Sequence, residues 1–140
     1  MTSLALIFTL ACIGISETMY LVRKRIASER PICPIGGGCE IVLTSRYNKM
    51  FFLPNDLLGL LAYIAIATLS AFLVIPFGPI ILWQILLLLL VTISTLASTL
   101  FIFLQWKVIR AWCFWCVMSA STIFLMAIII LINLIQLILK

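Results

Sequence analysis

The sequence predicts an all-α integral membrane protein, a four-helix bundle, and three observations predict it. Hydrophobic residues make up 66% of the 140-residue chain and charged residues only 9%, far from the make-up of a soluble domain. The apolar residues fall into four runs, each long enough for the roughly 20 residues a bilayer crossing needs. The basic residues gather in two stretches between those runs, with Lys140 alone elsewhere, a pattern that speaks of membrane topology and not of nucleic acid. Four spans and their connections use nearly the whole chain, so one four-helix domain over 1–140, multi-pass in the cell membrane, is expected. Histidine is absent, which excludes imidazole bases and His-ligated haem or metal.

The first span is expected at about 4–22, where an apolar run carrying one acid, Glu17, ends in Arg23, Lys24 and Arg25. It lacks the basic start and the small-residue cleavage site of a signal peptide, so it is read as retained. From Leu57 to Trp106 there is no charge, but Pro76-Phe77-Gly78-Pro79 interrupts the run. Pro and Gly together mark a tight turn, which predicts spans at about 57–75 and 80–106. Lys107 and Arg110 mark an interface, and the last span is expected at about 112–138. Between the first two spans lies a polar loop over 23–56. Its Gly36-Gly37-Gly38 favours a turn, and Glu40 to Tyr47 reads as a short surface helix capping the bundle.

Chemistry points to sulfur. Of the five cysteines, Cys33 and Cys39 flank the glycine triplet, and Cys113 and Cys116 form a Cys-Phe-Trp-Cys motif at the start of the last span. In a chain that crosses four times, the loop after the first span and the one before the last emerge on the same side. Both pairs therefore share one membrane face. The glycine-rich link lets a Cys33–Cys39 disulfide open and close with little strain. Cys113 and Cys116 are one helical turn apart and can pair. A helix N-terminus and nearby Arg110 favour thiolate there, and thiolates attack disulfides. Two such pairs make a relay, whose final acceptor in this setting should be lipid-soluble. Trp106, Trp112, Phe114 and Trp115 offer flat apolar surfaces to a quinone ring, although aromatic belts are common at interfaces.

These residues resemble the vitamin K epoxide reductase family, including its prokaryotic disulfide-forming members. The resemblance rests on the pair with five intervening residues, Ser45 six positions after Cys39, Asn55 followed by Gly59 and Tyr63, and the CxxC heading the last span. It implies a catalytic set of Cys33, Cys39, Cys113 and Cys116. Cys116 would react with a quinone of the ubiquinone, menaquinone or vitamin K type, Cys113 would exchange with Cys39, and Cys33 would face the partner. Asn55 would hydrogen-bond a quinone carbonyl, and Ser45, Leu58 and Tyr63 would close or order the pocket, beside the flat surface of Trp115. Animal members carry Thr-Tyr-Ala three residues after the CxxC, where this chain has Ser119-Ala120-Ser121. That departure disfavours epoxide reduction and leaves quinone reduction coupled to disulfide formation. Many members carry a fused thioredoxin-like domain; here the expected partner is a separate thioredoxin-fold protein.

Plainer readings stand beside these. Cys33–Cys39 could staple an external loop, Cys113 and Cys116 could be small packing residues, and four thiolates could bind zinc, though no second-shell acid or histidine is evident and no metal is expected. Cys12 reads as an inert packed thiol, Asn55 as a helix cap, and Ser45 as a turn residue. Glu17 is expected at the membrane edge beside the Arg23 cluster. It also raises a rival, a small four-helix proton-coupled multidrug or cation exporter using that acid, but such a transporter needs neither cysteine pair nor so long a first loop. A quinone-linked disulfide oxidase of the other four-helix type would have its CxxC before the loop pair, the reverse of the order here. Eight Lys and Arg on the cysteine-bearing face place it in the cytoplasm by the positive-inside rule, while the resemblance implies the external side. Labelling with an impermeant thiol reagent, in intact cells and then in inverted vesicles, separates the two.

Overall fold

In the computed structural model, residues 2–50, 52–75 and 78–139 are described. Four long helices dominate: α1 Thr2–Ile26, α3 Asn55–Val74, α4 Ile80–Leu104 and α5 Phe114–Ile138. All four are long and apolar enough to cross a membrane, and the protein is a multi-pass integral membrane protein. A short helix, α2 (Cys39–Thr44), follows the glycine triplet, and a 3-10 turn (Arg46–Asn48) leads to a two-residue antiparallel pair of strands, β1 (Lys49–Met50) and β2 (Leu53–Pro54). The expected surface helix is thus shorter than Glu40–Tyr47, because Ser45 adopts an extended backbone that ends α2.

The spans differ from expectation at their ends. The first continues through Arg23, Lys24 and Arg25 to Ile26, where basic side chains meet the negative end of the helix dipole. The third runs past Leu104 as a π turn over Gln105–Ile109 and closes on Arg110 in the left-handed region at φ 53°. The fourth starts two residues late, because Cys113 serves as its N-cap. Of the expected Pro76–Pro79 turn, Pro76 and Phe77 lie outside the described residues, as does Lys140; Gly78 turns the chain at φ +81°.

α1 packs against α3 and α5, and α4 closes the bundle against α3 and α5. The central core joins Ile7 and Ala11 of α1, Tyr63 and Ile66 of α3, Leu87 and Val91 of α4, and Ile123 and Met126 of α5. Leu87 and Val91 are the buried residues of α4, so most of that helix presents Leu and Ile outward, as a lipid-facing span does. Hydroxyls on the spans return to their own helix: Thr9, Thr68, Thr92 and Thr99 each donate to the carbonyl four residues earlier at 2.7–2.8 Å. Polar atoms that lipid cannot satisfy are satisfied locally.

Candidate active site

One end of the bundle collects the chemistry. The loop after α1 is anchored at Ile32 from two sides: its N–H donates to the Tyr20 hydroxyl at 3.0 Å, and its carbonyl accepts from the Trp115 indole at 2.8 Å. Tyr20 and Trp115 also stack, with ring centroids 4.5 Å apart. Cys33 is therefore tethered to α1 and α5 through its neighbour. Gly36 and Gly37 then turn the chain at positive φ. Gly38 meets the backbone of Trp112 so closely that a Cβ would lie 2.6 Å from the Trp112 carbonyl oxygen and 2.9 Å from its nitrogen. A side chain is excluded there, and the start of α2 rests directly on the segment leading into α5.

This contact gathers both cysteine pairs. Cys39, Val42 and Cys113 form a buried cluster, with Cys33 and Cys116 packed against it. Cys33 and Cys39 are joined in a disulfide with Cα atoms 5.9 Å apart, while Cys113 and Cys116 are free thiols. The Cys116 N–H donates to the Cys113 sulfur at 3.4 Å, which makes that sulfur the cap of α5. Hydrogen bonding from the Cys116 side chain, aided by the backbone N–H groups of Cys116 and Trp115, lowers the Cys113 thiol below its ordinary value, against burial and the nearby Asp56 charge. The activated thiol is thus the one facing Cys39's cluster, as a helix N-terminus arranges it.

Next to the thiols lies a cavity of about 350 Å³ whose wall includes Cys116, Ser45, Asn55, Leu58 and Tyr63, within the usual size range of small-ligand pockets. α2 and the 3-10 turn roof it through Val42, Leu43 and Asn48. Asn55 opens α3 without capping it, since Pro54 occupies the cap position and no side chain bonds there. Ser45 donates to the Val42 carbonyl at 2.7 Å, and Tyr63 donates to the Ser119 carbonyl at 2.6 Å, tying α3 to α5. The lining is chiefly apolar, and its polar groups include the Asn55 amide and the Asp56 carboxylate, while the Ser45 and Tyr63 hydroxyls are committed to backbone carbonyls; an amide donor on an apolar wall suits a flat ring bearing a carbonyl.

Trp115 is placed elsewhere. Its indole is committed to Ile32 and Tyr20, so it holds the Cys33 loop and is absent from the cavity lining. Glu17 corrects a second expectation: it does not sit at the edge with Arg23. It is 7% exposed and accepts from Thr122 of α5 at 3.4 Å. The reason is helical phase, since Glu17 shares its face with Ala11, Gly14 and Leu21, all buried, whereas Arg23 is exposed on another face. Cys12, expected to be packed, is exposed on the outer surface of α1.

Three residues of the site escaped sequence reasoning. Gln105 is 1% exposed, and its side-chain oxygen accepts the Cys113 N–H at 2.9 Å. The π turn delivers it, as such turns often do near functional sites. Arg25 and Asp56 pair across α1 and α3 at 2.8 Å, with the Asp56 side chain 1% exposed. A charge at each end of an apolar run was visible, but which of several arginines would reach Asp56 was not.

Two cysteine pairs packed together at one end of a four-span bundle, beside an apolar cavity, define a class of integral membrane protein built for disulfide chemistry. The family model described as "Vitamin K epoxide reductase family" matches residues 5–131, and the chain belongs to that family. It is also similar to the thiol-disulfide oxidoreductase LTO1 of Arabidopsis thaliana, 38% identical over 66 residues, covering 44% of this chain and 18% of that protein. The match thus spans less than a fifth of that relative.

Proposed function

We propose that the protein is a quinone-dependent thiol-disulfide oxidoreductase that promotes disulfide bond formation, drawing electrons from a thioredoxin-fold partner. The observation that carries this reading is the packing of both cysteine pairs into one buried cluster, with Cys116 also in the cavity wall. A partner dithiol reduces the Cys33–Cys39 disulfide and leaves as a disulfide. The resulting Cys33/Cys39 dithiol reduces an oxidised Cys113–Cys116 pair by exchange between Cys39 and Cys113. The Cys113/Cys116 dithiol is then reoxidised by quinone, with two electrons and two protons moving to the ring. Cys33, half-buried at the loop, faces the partner; Asn55 holds a quinone carbonyl, and Ser45, Leu58 and Tyr63 shape the pocket.

The family assignment and the relative's printed name support the disulfide chemistry, and the size and apolar lining of the cavity support the quinone. The test is quinone reduction by purified protein supplied with a reduced thioredoxin-fold substrate. Cys116→Ala should abolish turnover. Cys12→Ala should leave it within about twofold, since Cys12 lies on the outer surface. Persistent activity in Cys116→Ala would overturn the assignment of the quinone-reactive thiol.

A further inference from the structure

Asp56 occupies an unusual position. One carboxylate oxygen, Oδ2, accepts from Arg25 Nε at 2.8 Å. The other, Oδ1, is buried and has no hydrogen-bond partner among the described residues. Asp56 also lies in the cavity wall beside Asn55 and Cys116, near enough for its charge to act on both Cys113 and Cys116. A buried carboxylate oxygen without a donor is costly, and its missing partner must be a donor, since a carboxylate only accepts. A quinone carbonyl cannot fill that role. A thiol S–H and a hydroquinone O–H both can, and these are the reactant and the product of the proposed reoxidation.

We propose that Asp56 is the proton-carrying residue of the cavity, its free oxygen taking a proton from the Cys113/Cys116 dithiol and passing it to the quinone. The inference rests on the quinone reading above. In the balanced step two S–H bonds break, one S–S bond forms and two O–H bonds form, while two electrons pass from sulfur to the ring. One proton travels through the Asp56 carboxylate. The other enters from the aqueous edge, balancing the one that the second thiol releases there. Arg25 holds Oδ2 and so leaves Oδ1 turned to this task. Once product has formed, Oδ1 accepts from its hydroxyl, so the pocket prefers hydroquinone to quinone until the product leaves.

Asp56→Asn makes a sharp test, because Arg25 Nε can only donate and therefore keeps the amide oxygen. The amide NH₂ then takes the place of Oδ1, a donor where the acceptor stood. Binding of oxidised and reduced short-chain quinone, read by tryptophan fluorescence and by thermal shift, should show the hydroquinone preference falling by about tenfold or more, with quinone affinity held or raised. Turnover should fall about 100-fold with little change in KM for quinone. Asp56→Glu should recover part of the rate, and Arg25→Gln, which keeps the carboxylate, should retain much more activity than Asp56→Asn. If wild-type protein leaves quinone oxidised, the quinone reading fails and this proposal falls with it. If wild type turns over and Asp56→Asn matches it in rate and in hydroquinone preference, the role of Asp56 alone is overturned. Equal losses in Arg25→Gln and Asp56→Asn, tracking loss of thermal stability, would reduce the pair to a structural clasp and overturn the proposal as well.

Discussion

Replacing Gly38 by alanine probes the contact that brings the two sulfur pairs together. A Cβ at this position would lie 2.6 Å from the Trp112 carbonyl oxygen, where ordinary van der Waals contact begins at 3.4 Å. The obstructing atoms are backbone, so no side chain can swing away. The start of α2 and the segment before Cys113 must part by roughly 0.8 Å, and misplacements near 1 Å cost on the order of 100-fold in rate. We therefore expect Gly38→Ala to slow Cys39–Cys113 exchange by about 10- to 100-fold. The assay is trapping of the Cys39–Cys113 mixed disulfide in protein also carrying Cys116→Ser, in which the Cys113 thiolate attacks the Cys33–Cys39 disulfide and Cys33 leaves as a thiol that an alkylating reagent caps, followed by non-reducing electrophoresis over time. Gly36→Ala is the control, because that position has open space around it and bears only the strain of positive φ, about 1 kcal/mol. A Gly38→Ala protein that forms the mixed disulfide as fast as its parent would refute the claim that this backbone contact sets the approach of the two pairs.

Two further outcomes follow from the neighbouring geometry. Gln105→Leu removes the acceptor for the buried Cys113 N–H, a loss of about 1–3 kcal/mol, and should lower the thermal midpoint of the detergent-solubilised protein by several degrees; an unchanged midpoint would mean the N–H finds another acceptor. Cys113 titrates below its ordinary value of 9.0, chiefly because the Cys116 side chain donates to it. Thiolate absorbance should therefore grow in at a pH below that of an ordinary thiol, and the reverse of the relay step, attack of the Cys113 thiolate on the Cys33–Cys39 disulfide, should persist as pH falls until Cys113 itself protonates. Cys116→Ala should move that absorbance midpoint upward, and a midpoint that stays put would assign the activation to the helix end alone.

Much of the architecture was legible because lipid imposes a coarse code. Long uncharged runs, basic stretches between them and a Pro-Gly break sufficed to predict four spans to within a few residues, and parity alone placed Cys33/Cys39 and Cys113/Cys116 on one face. What escaped reading depended on helical phase and on tertiary reach. Glu17 is close to Arg23 along the chain, yet the two point to different faces of α1. Trp115 has the flat apolar face a cavity wall would use, yet its indole serves the loop through Ile32. Gln105 is one amide in a long apolar run, and only the extra residue of a π turn aims it at Cys113.

The site divides into a tethered half and a built-in half. Cys33 and Cys39 sit on a segment held by Ile32 at one end and by α2 at the other, with glycines at positive φ between them. Gly36 and Gly37, at positive φ with open space around them, give that segment room to turn between its two anchors. Cys113 and Cys116 have no such freedom: the first caps α5 and is held by Gln105, and the second lies within the helix facing the cavity. The relay proposed above needs one pair that moves toward a partner and one that stays fixed beside the acceptor, because effective exchange and an ordered pocket place opposite demands on rigidity. The chain meets both by placing its glycines around the first pair and its helix cap at the second.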